Sequence, residues 1–211
     1  MNITLRFNEL YAYENSLNEQ GYYVAGVDEA GRGPLAGPVV AAAAIQICQF
    51  KKKHLEWLSE INDSKKLSEA KRETLFEKLN DCDSPFAVAV GIRDAQRIDE
   101  INILQATYEC MHDAITKLIL APTYVLVDGA KIPNLEYQQE KIIKGDSKCL
   151  CIAAASIIAK VTRDRIMRKY DELYPQYNFK KHKGYGTAEH IQAIKTYGQC
   201  AIHRLTFKVP E

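Results

Sequence analysis

The chain has 211 residues, 46% hydrophobic and 26% charged, a composition that supports a sizeable core and one domain over 1–211. No stretch approaches the ~18 consecutive apolar residues of a membrane span, and the polar start, 1–21, has no secretory pattern, so a cytoplasmic protein without membrane partners is expected. The net charge of +1 conceals segregation, with +6 from Lys160 onward and −5 before it; this suits an acidic part for cations and a basic part for a polyanion, although a merely solvated basic helix reads the same way.

After the N-terminal lead-in, the apolar, β-favouring run 22–27 and the run 39–47 predict two strands joined by the glycine turn GRGP. Ser68 heads a charged segment whose Leu75, Phe76 and Leu79 mark one helix face. A strand is predicted over 86–92. From Asn102 to Leu120, Leu104, Tyr108, Met111, Ile115 and Leu118 recur at spacings of 4, 3, 4 and 3, an amphipathic helix. TYVLV at 123–127 predicts a buried strand ending at Asp128, and 141–143 a further short one. The segment 149–170 reads as a long helix, Ala-rich and buried first, basic later. PQYNFKKHKGYG is expected to be irregular, and Thr187 to cap a last helix through Tyr197. Strands interleaved with helices imply an α/β layer with a mixed sheet, because the first strand pair is too closely connected for a crossover helix.

Asp28, Glu29, Asp128 and Asp146 stand at predicted strand ends or at a turn into a helix. Converging carboxylates repel by roughly 4 kcal/mol per pair at 4 Å and an effective dielectric of 20, so convergence implies bound cations. All-oxygen ligands select Mg²⁺ or Mn²⁺ over zinc, and two such ions about 3.5–4 Å apart suit phosphodiester hydrolysis. Taken alone, Asp128 or Asp146 also reads as a turn or cap residue.

GRGPLAG has the spacing GxGxxxG, and a strand-like run follows where a phosphate-binding helix would start, which argues against a dinucleotide fold. Its glycines permit close backbone approach to a ligand, and Arg32 can contact a phosphate. KKHKGYG offers cations beside Tyr185, suited to phosphate contact plus stacking; a charged loop with Tyr185 tucked into the core is the competing reading. NDSKK at 62–66 is either a phosphate-contacting loop or a helix lead-in. The six cysteines form no CxxC pair and are expected to be reduced; Cys149 and Cys151 fit burial in the Ala-rich helix better than a metal fragment. His203 is given no catalytic role.

In order, YYVAGVDEAGRGPLAGPVVAAAAI, INDSKKLS, YVLVDG, IIKGDSK, IAAASIIAKVTRDR, HKGYGT and IHRLTF resemble the ribonuclease HII family over 22–207. The resemblance implies a ribonuclease H-like fold, a five-stranded mixed sheet flanked by helices with a helical C-terminal part. It implies that Asp28, Glu29, Asp128 and Asp146 bind two divalent ions, Mg²⁺ or Mn²⁺, and that Asp164 lies outside this set and pairs with neighbouring arginines. Gly31, Arg32 and Gly33 are implied to sense a ribose 2′-hydroxyl, the handle that separates RNA from DNA, while Tyr185 stacks on the adjoining sugar. The implied activity is endonucleolytic cleavage of RNA in RNA/DNA hybrids and 5′ of ribonucleotides in duplex DNA, leaving 3′-hydroxyl and 5′-phosphate ends. The sequence shows no evident exposed apolar stripe, so a monomer is expected. Two departures bear on the site: Cys149 and Cys151 replace the usual serines, near Asp146, and VDGAKIP replaces VDGN, beside Asp128. Rival readings are a DNA nuclease, resolvase or strand-transfer enzyme of the same superfold, and a noncatalytic hybrid-binding module.

Overall fold

The computed structural model describes residues 3–62, 64 and 66–210. The elements are α1 (Ile3–Glu19), β1 (Val24–Ala30), β2 (Val39–Gln46), α2 (Lys52–Leu58), α3 (Glu69–Asn80), β3 (Phe86–Arg93), α4 (Ala95–Thr116), β4 (Tyr124–Asp128), β5 (Gln138–Ile142), α5 (Leu150–Leu173), α6 (Phe179–His182) and α7 (Ala188–Tyr197), with one-turn 3₁₀ helices at Gly145–Ser147 and Pro175–Tyr177. The strands form one sheet in the order β3-β2-β1-β4-β5. β1 is antiparallel to β2 and parallel to β4, so the sheet is mixed, as expected.

Helices cover both faces because both are apolar. On one face Val24, Val40, Ala42, Ala44 and Leu126 pack against the Ala-rich start of α5 and against α1 and α3. On the other, Val27, Ala41, Ala43, Val125 and Val127 pack against Ala106, Cys110, Met111, Ala114 and Ile115 of α4. The methyl side chains of Ala41–Ala44 let two helices approach β2 closely. A third cluster, with Met167, Tyr177, Phe179 and Ile202, carries the C-terminal part. No helix among the described residues is long and apolar enough to cross a membrane.

Several boundaries differ from expectation. β1 continues past the expected end at Val27, through Asp28 and Glu29 to Ala30, up to the glycine turn. The helix expected from Asn102 begins at Ala95, where Asp94 accepts a hydrogen bond from the Arg97 amide. Asn102 (φ 66°) kinks α4 and caps its second half through the amides of Leu104 and Gln105; the periodicity thus captured only the part after the kink. α1 and α2 were not anticipated, and four residues of the stretch expected to be irregular form α6. Ser68 and Thr187 cap α3 and α7 as expected. All six cysteines are free thiols.

Candidate active site

A strand's side chains alternate faces, so Asp28 follows Val24 and Gly26 onto the α5 face, and Asp128 follows Tyr124 and Leu126. The parallel register pairs Val27 with Val127, which sets the two aspartates side by side at the strand ends. A cavity of about 360 Å³ opens there. Asp28, Glu29, Asp128 and Asp146 all line it, as do Gly31, Arg32, Gly33 and Tyr185. Every candidate site residue therefore faces one space.

Asp28 is 7% exposed. Burial first, then the charges of Glu29 and Asp128, push its carboxyl well above the usual range, against hydrogen bonds from Ser156 and the Glu29 amide. The Glu29 amide donates to Asp28 Oδ1 at 2.7 Å, and Arg32 lies 3.4 Å from Glu29 Oε1. Asp128 Oδ1 accepts from the Gly145 amide at 2.7 Å, which ties β4 to the 3₁₀ turn carrying Asp146. Among the described residues no three His, Cys, Asp or Glu side chains are drawn together as a ready-made metal cluster; mutual repulsion opposes closer approach of these four. The donor set fits hard divalent cations: it is carboxylate oxygen throughout, and a cation there offsets the repulsion that raises Asp28.

The glycine loop is held from beneath by two arginines that the sequence reading had not singled out. Arg204 donates to the carbonyls of Gly31 (2.6 Å), Arg32 (3.0 Å) and Gly37 (3.0 and 2.9 Å). Arg163 donates to those of Pro38, Ala36 and Lys183, binding the glycine loop to HKGYG. Both guanidinium groups are fully buried, and burial pushes Arg163 down to about 10 and Arg204 to about 9. Gly31 (φ +98°) must be glycine, since a Cβ there would lie 2.1 Å from Arg163 Nε. Asp164 does not pair with arginine as expected; its ion pair is with Lys160 at 2.7 Å, one helical turn back. Arg163 turns instead to the loop carbonyls.

Tyr185 is 45% exposed and lies beside Gly33, so it is not tucked into the core. Its backbone rests on two buried histidines. His190 Nδ1 donates to the Tyr185 carbonyl (2.9 Å), His203 Nε2 faces His190 Nε2 (3.1 Å), and the Cys200 amide donates to His203 Nδ1 (2.9 Å). Those partners assign His203 Nε2–H as donor to an unprotonated His190 Nε2, both rings neutral. His203 thus has a structural role.

Ser156 and Lys160, which no sequence pattern marked, also line the cavity, together with Ser64 of NDSKK. Ser156 Oγ lies 2.8 Å from Ser64 Oγ, so the NDSKK segment does reach the site; Asp63 and Lys65 lie outside the described residues. The available signal for Ser156 was its being the only hydroxyl in the apolar first half of α5. Cys149 and Cys151 are buried in the core, as expected.

A carboxylate-lined cavity at adjoining strand ends of a β3-β2-β1-β4-β5 mixed sheet, beside a basic and aromatic wall, defines a metal-dependent nuclease with the ribonuclease H-like fold. The Ribonuclease HII family model matches residues 25–209, and the chain belongs to that family. Among its relatives, the ribonuclease HII of Caldanaerobacter subterraneus subsp. tengcongensis is 54% identical over 96% of this chain and 81% of that protein. That of Clostridioides difficile is 52% identical over 96% of this chain and 76% of its own. The solved ribonuclease H2 of Pyrococcus horikoshii superposes with a TM-score of 0.68 at 33% identity, covering 88% of this chain and 94% of that one. The Archaeoglobus fulgidus RNase HII, solved as a complex with PCNA, gives 0.73 at 26% identity over 90% and 96%. The chain is accordingly a metal-dependent endoribonuclease with ribonuclease H activity on RNA/DNA hybrids.

Proposed function

We propose that Asp28, Glu29, Asp128 and Asp146 hold two divalent ions, Mg²⁺ or Mn²⁺, and that the enzyme also cuts duplex DNA 5′ of a single ribonucleotide. The observation that carries this reading is the gathering of all four carboxylates around one cavity, with Asp28 raised by burial first and then by the charges of Glu29 and Asp128. Bound ions would supply an activated water and neutralise charge at the departing 3′-oxygen. Asp28 and Asp128, fixed by the sheet register, set the positions of the ligand oxygens. The Gly145 amide orients Asp128. The amides of the Gly31–Gly33 loop, whose carbonyls are occupied by Arg204, face the 2′-hydroxyl of the ribonucleotide, and the exposed Tyr185 ring stacks on the adjoining sugar. The same reading treats the chain as a single catalytic domain working as a monomer.

Gel-resolved cleavage of a labelled duplex with one internal ribonucleotide, beside an all-DNA control, tests it with Mg²⁺, Mn²⁺ or EDTA. One cut 5′ of the ribonucleotide, leaving 3′-hydroxyl and 5′-phosphate ends and absent with EDTA and in the control, is expected. Cleavage of the all-DNA duplex, or of long hybrids alone, would overturn the account of the glycine loop and Tyr185.

A further inference from the structure

α1 precedes the residues matched by the family model, yet one of its side chains is inserted against the frame of the site. Glu14 is 2% exposed, and its Oε2 accepts a hydrogen bond from the Cys151 amide at 2.7 Å. That amide belongs to the first turn of α5, a helix of 24 residues whose own N-cap, Cys149, makes no side-chain cap and whose first turn carries no acidic residue. A long helix needs acceptors and negative charge at this end. Glu14 supplies both from a different element, 137 residues away in sequence.

The capped turn is continuous with the carboxylate site. The Lys148 and Cys149 amides donate to the Gly145 carbonyl at 2.9 and 2.8 Å, and the Gly145 amide donates to Asp128 Oδ1 at 2.7 Å. Asp146 lies between these links. On the other side, a Cβ on Gly26 would sit 2.3 Å from the Cys151 carbonyl carbon and Ile152 amide nitrogen, so the first turn of α5 is pressed against β1 two residues before Asp28. Burial pushes the Glu14 carboxyl up to about 7, opposed by hydrogen bonds from Cys151 and Leu150. A carboxyl raised in this way makes the folded state less stable as pH rises through neutrality.

We propose that Glu14 is a positioning residue of the active site: by capping α5 in place of a local cap, it fixes the turn that carries Asp146 and the Gly145 amide that orients Asp128. The inference rests on the assignment of those aspartates as metal ligands. Its effect falls on the Mg²⁺ concentration that half-activates cleavage, because a loosened ligand turn weakens metal capture while leaving the assembled site able to react at saturating metal.

The experiment titrates Mg²⁺ in cleavage assays of the full chain, its Glu14→Ala and Glu14→Gln variants, and Asp146→Asn, with amide hydrogen exchange followed across 145–153. Loss of a cap corresponds to about 5–10-fold. Glu14→Ala is therefore expected to raise half-activating Mg²⁺ by about 5–10-fold, with the saturated rate within about 3-fold of the parent, and to speed exchange of the Gly145 and Cys149 amides. Glu14→Gln keeps an acceptor and is expected to recover most of the shift. Should Glu14→Ala fail to fold, Glu14→Met, which keeps the side-chain volume and removes the acceptor, takes its place: faster exchange at 145–149 with a raised half-activating Mg²⁺ supports the proposal, and parental values of both overturn it. Parental half-activation in a folded Glu14→Ala, even with a lower melting temperature, would overturn the proposal and leave a merely structural contact. If the parent's cleavage ignored metal, or Asp146→Asn matched it, the carboxylate assignment itself would fall.

Discussion

The two walls of the cavity solve opposite electrostatic problems. On the carboxylate wall, Asp28, Glu29 and Asp128 crowd like charges at adjoining strand ends; Arg32 reaches Glu29 at 3.4 Å, and Lys160, at the cavity edge, pairs with Asp164. On the loop wall, every guanidinium nitrogen of Arg163 and Arg204 donates to a backbone carbonyl, and the histidines beneath Tyr185 are neutral and paired. The first wall is left in a state that a cation improves; the second is complete before any ligand arrives. On the proposed assignment, the first wall keeps its charge for a metal, whereas a loop that reads a 2′-hydroxyl by shape has to be rigid beforehand.

The largest expected effect tests the first wall. Asp28→Asn should lower hybrid cleavage by about 10²–10³-fold while raising the melting temperature. The sign follows from the raised carboxyl: its contribution to stability is present below the unfolded pKa and lost as pH rises through the folded value, so at neutral pH the charge opposes folding. A simultaneous loss of activity and of stability would erase the contrast.

Arg204→Ala makes the reverse prediction for the second wall. It strands the carbonyls of Gly31, Arg32 and Gly37 and should cost about 3 kcal/mol in urea unfolding, with cleavage at an embedded ribonucleotide falling further than metal-dependent cleavage of long hybrids. Equal losses on both substrates would mean that the loop is only scaffold.

The histidines supply a pH test. Burial first pushes His190 down to about 4, so its contribution to stability is present above the unfolded value of about 6.5 and lost as pH falls toward 4. Protonating His190 Nε2 sets a donor against the His203 Nε2 donor. The parent should lose about 2 kcal/mol more than His190→Gln between pH 6.5 and 4; parallel melting curves would remove the histidines from the account.

The smallest effect is at the ring. Tyr185→Ala should weaken substrate binding about 10-fold, the size of one stacking contact, with the melting temperature unchanged because the ring is half exposed. A large drop in melting temperature would place Tyr185 in the scaffold instead.

Much of this molecule is local information. Apolar, β-favouring runs located β1 through β4, and the spacing from Leu104 to Leu118 located the second half of α4; acids at strand ends, the glycine loop with Arg32 and the basic stretch around Tyr185 marked the eight candidate residues, with the family resemblance separating Asp146 from Asp164. What local pattern could not carry was partnership between distant segments. The parallel pairing of β1 with β4 sets Asp28 beside Asp128 across 100 residues, and nothing in either strand specifies its neighbour. Arg163, Arg204 and Glu14 look like surface charges in a sequence, because burial of a charge becomes tolerable only when carbonyls or amides from elsewhere arrive to meet it. Residue type and spacing decided which groups the site contains, and tertiary contact decided which of them are held rigid and which crowd together around the cavity, since hydrogen bonds and repulsion depend on distances that only the folded chain defines.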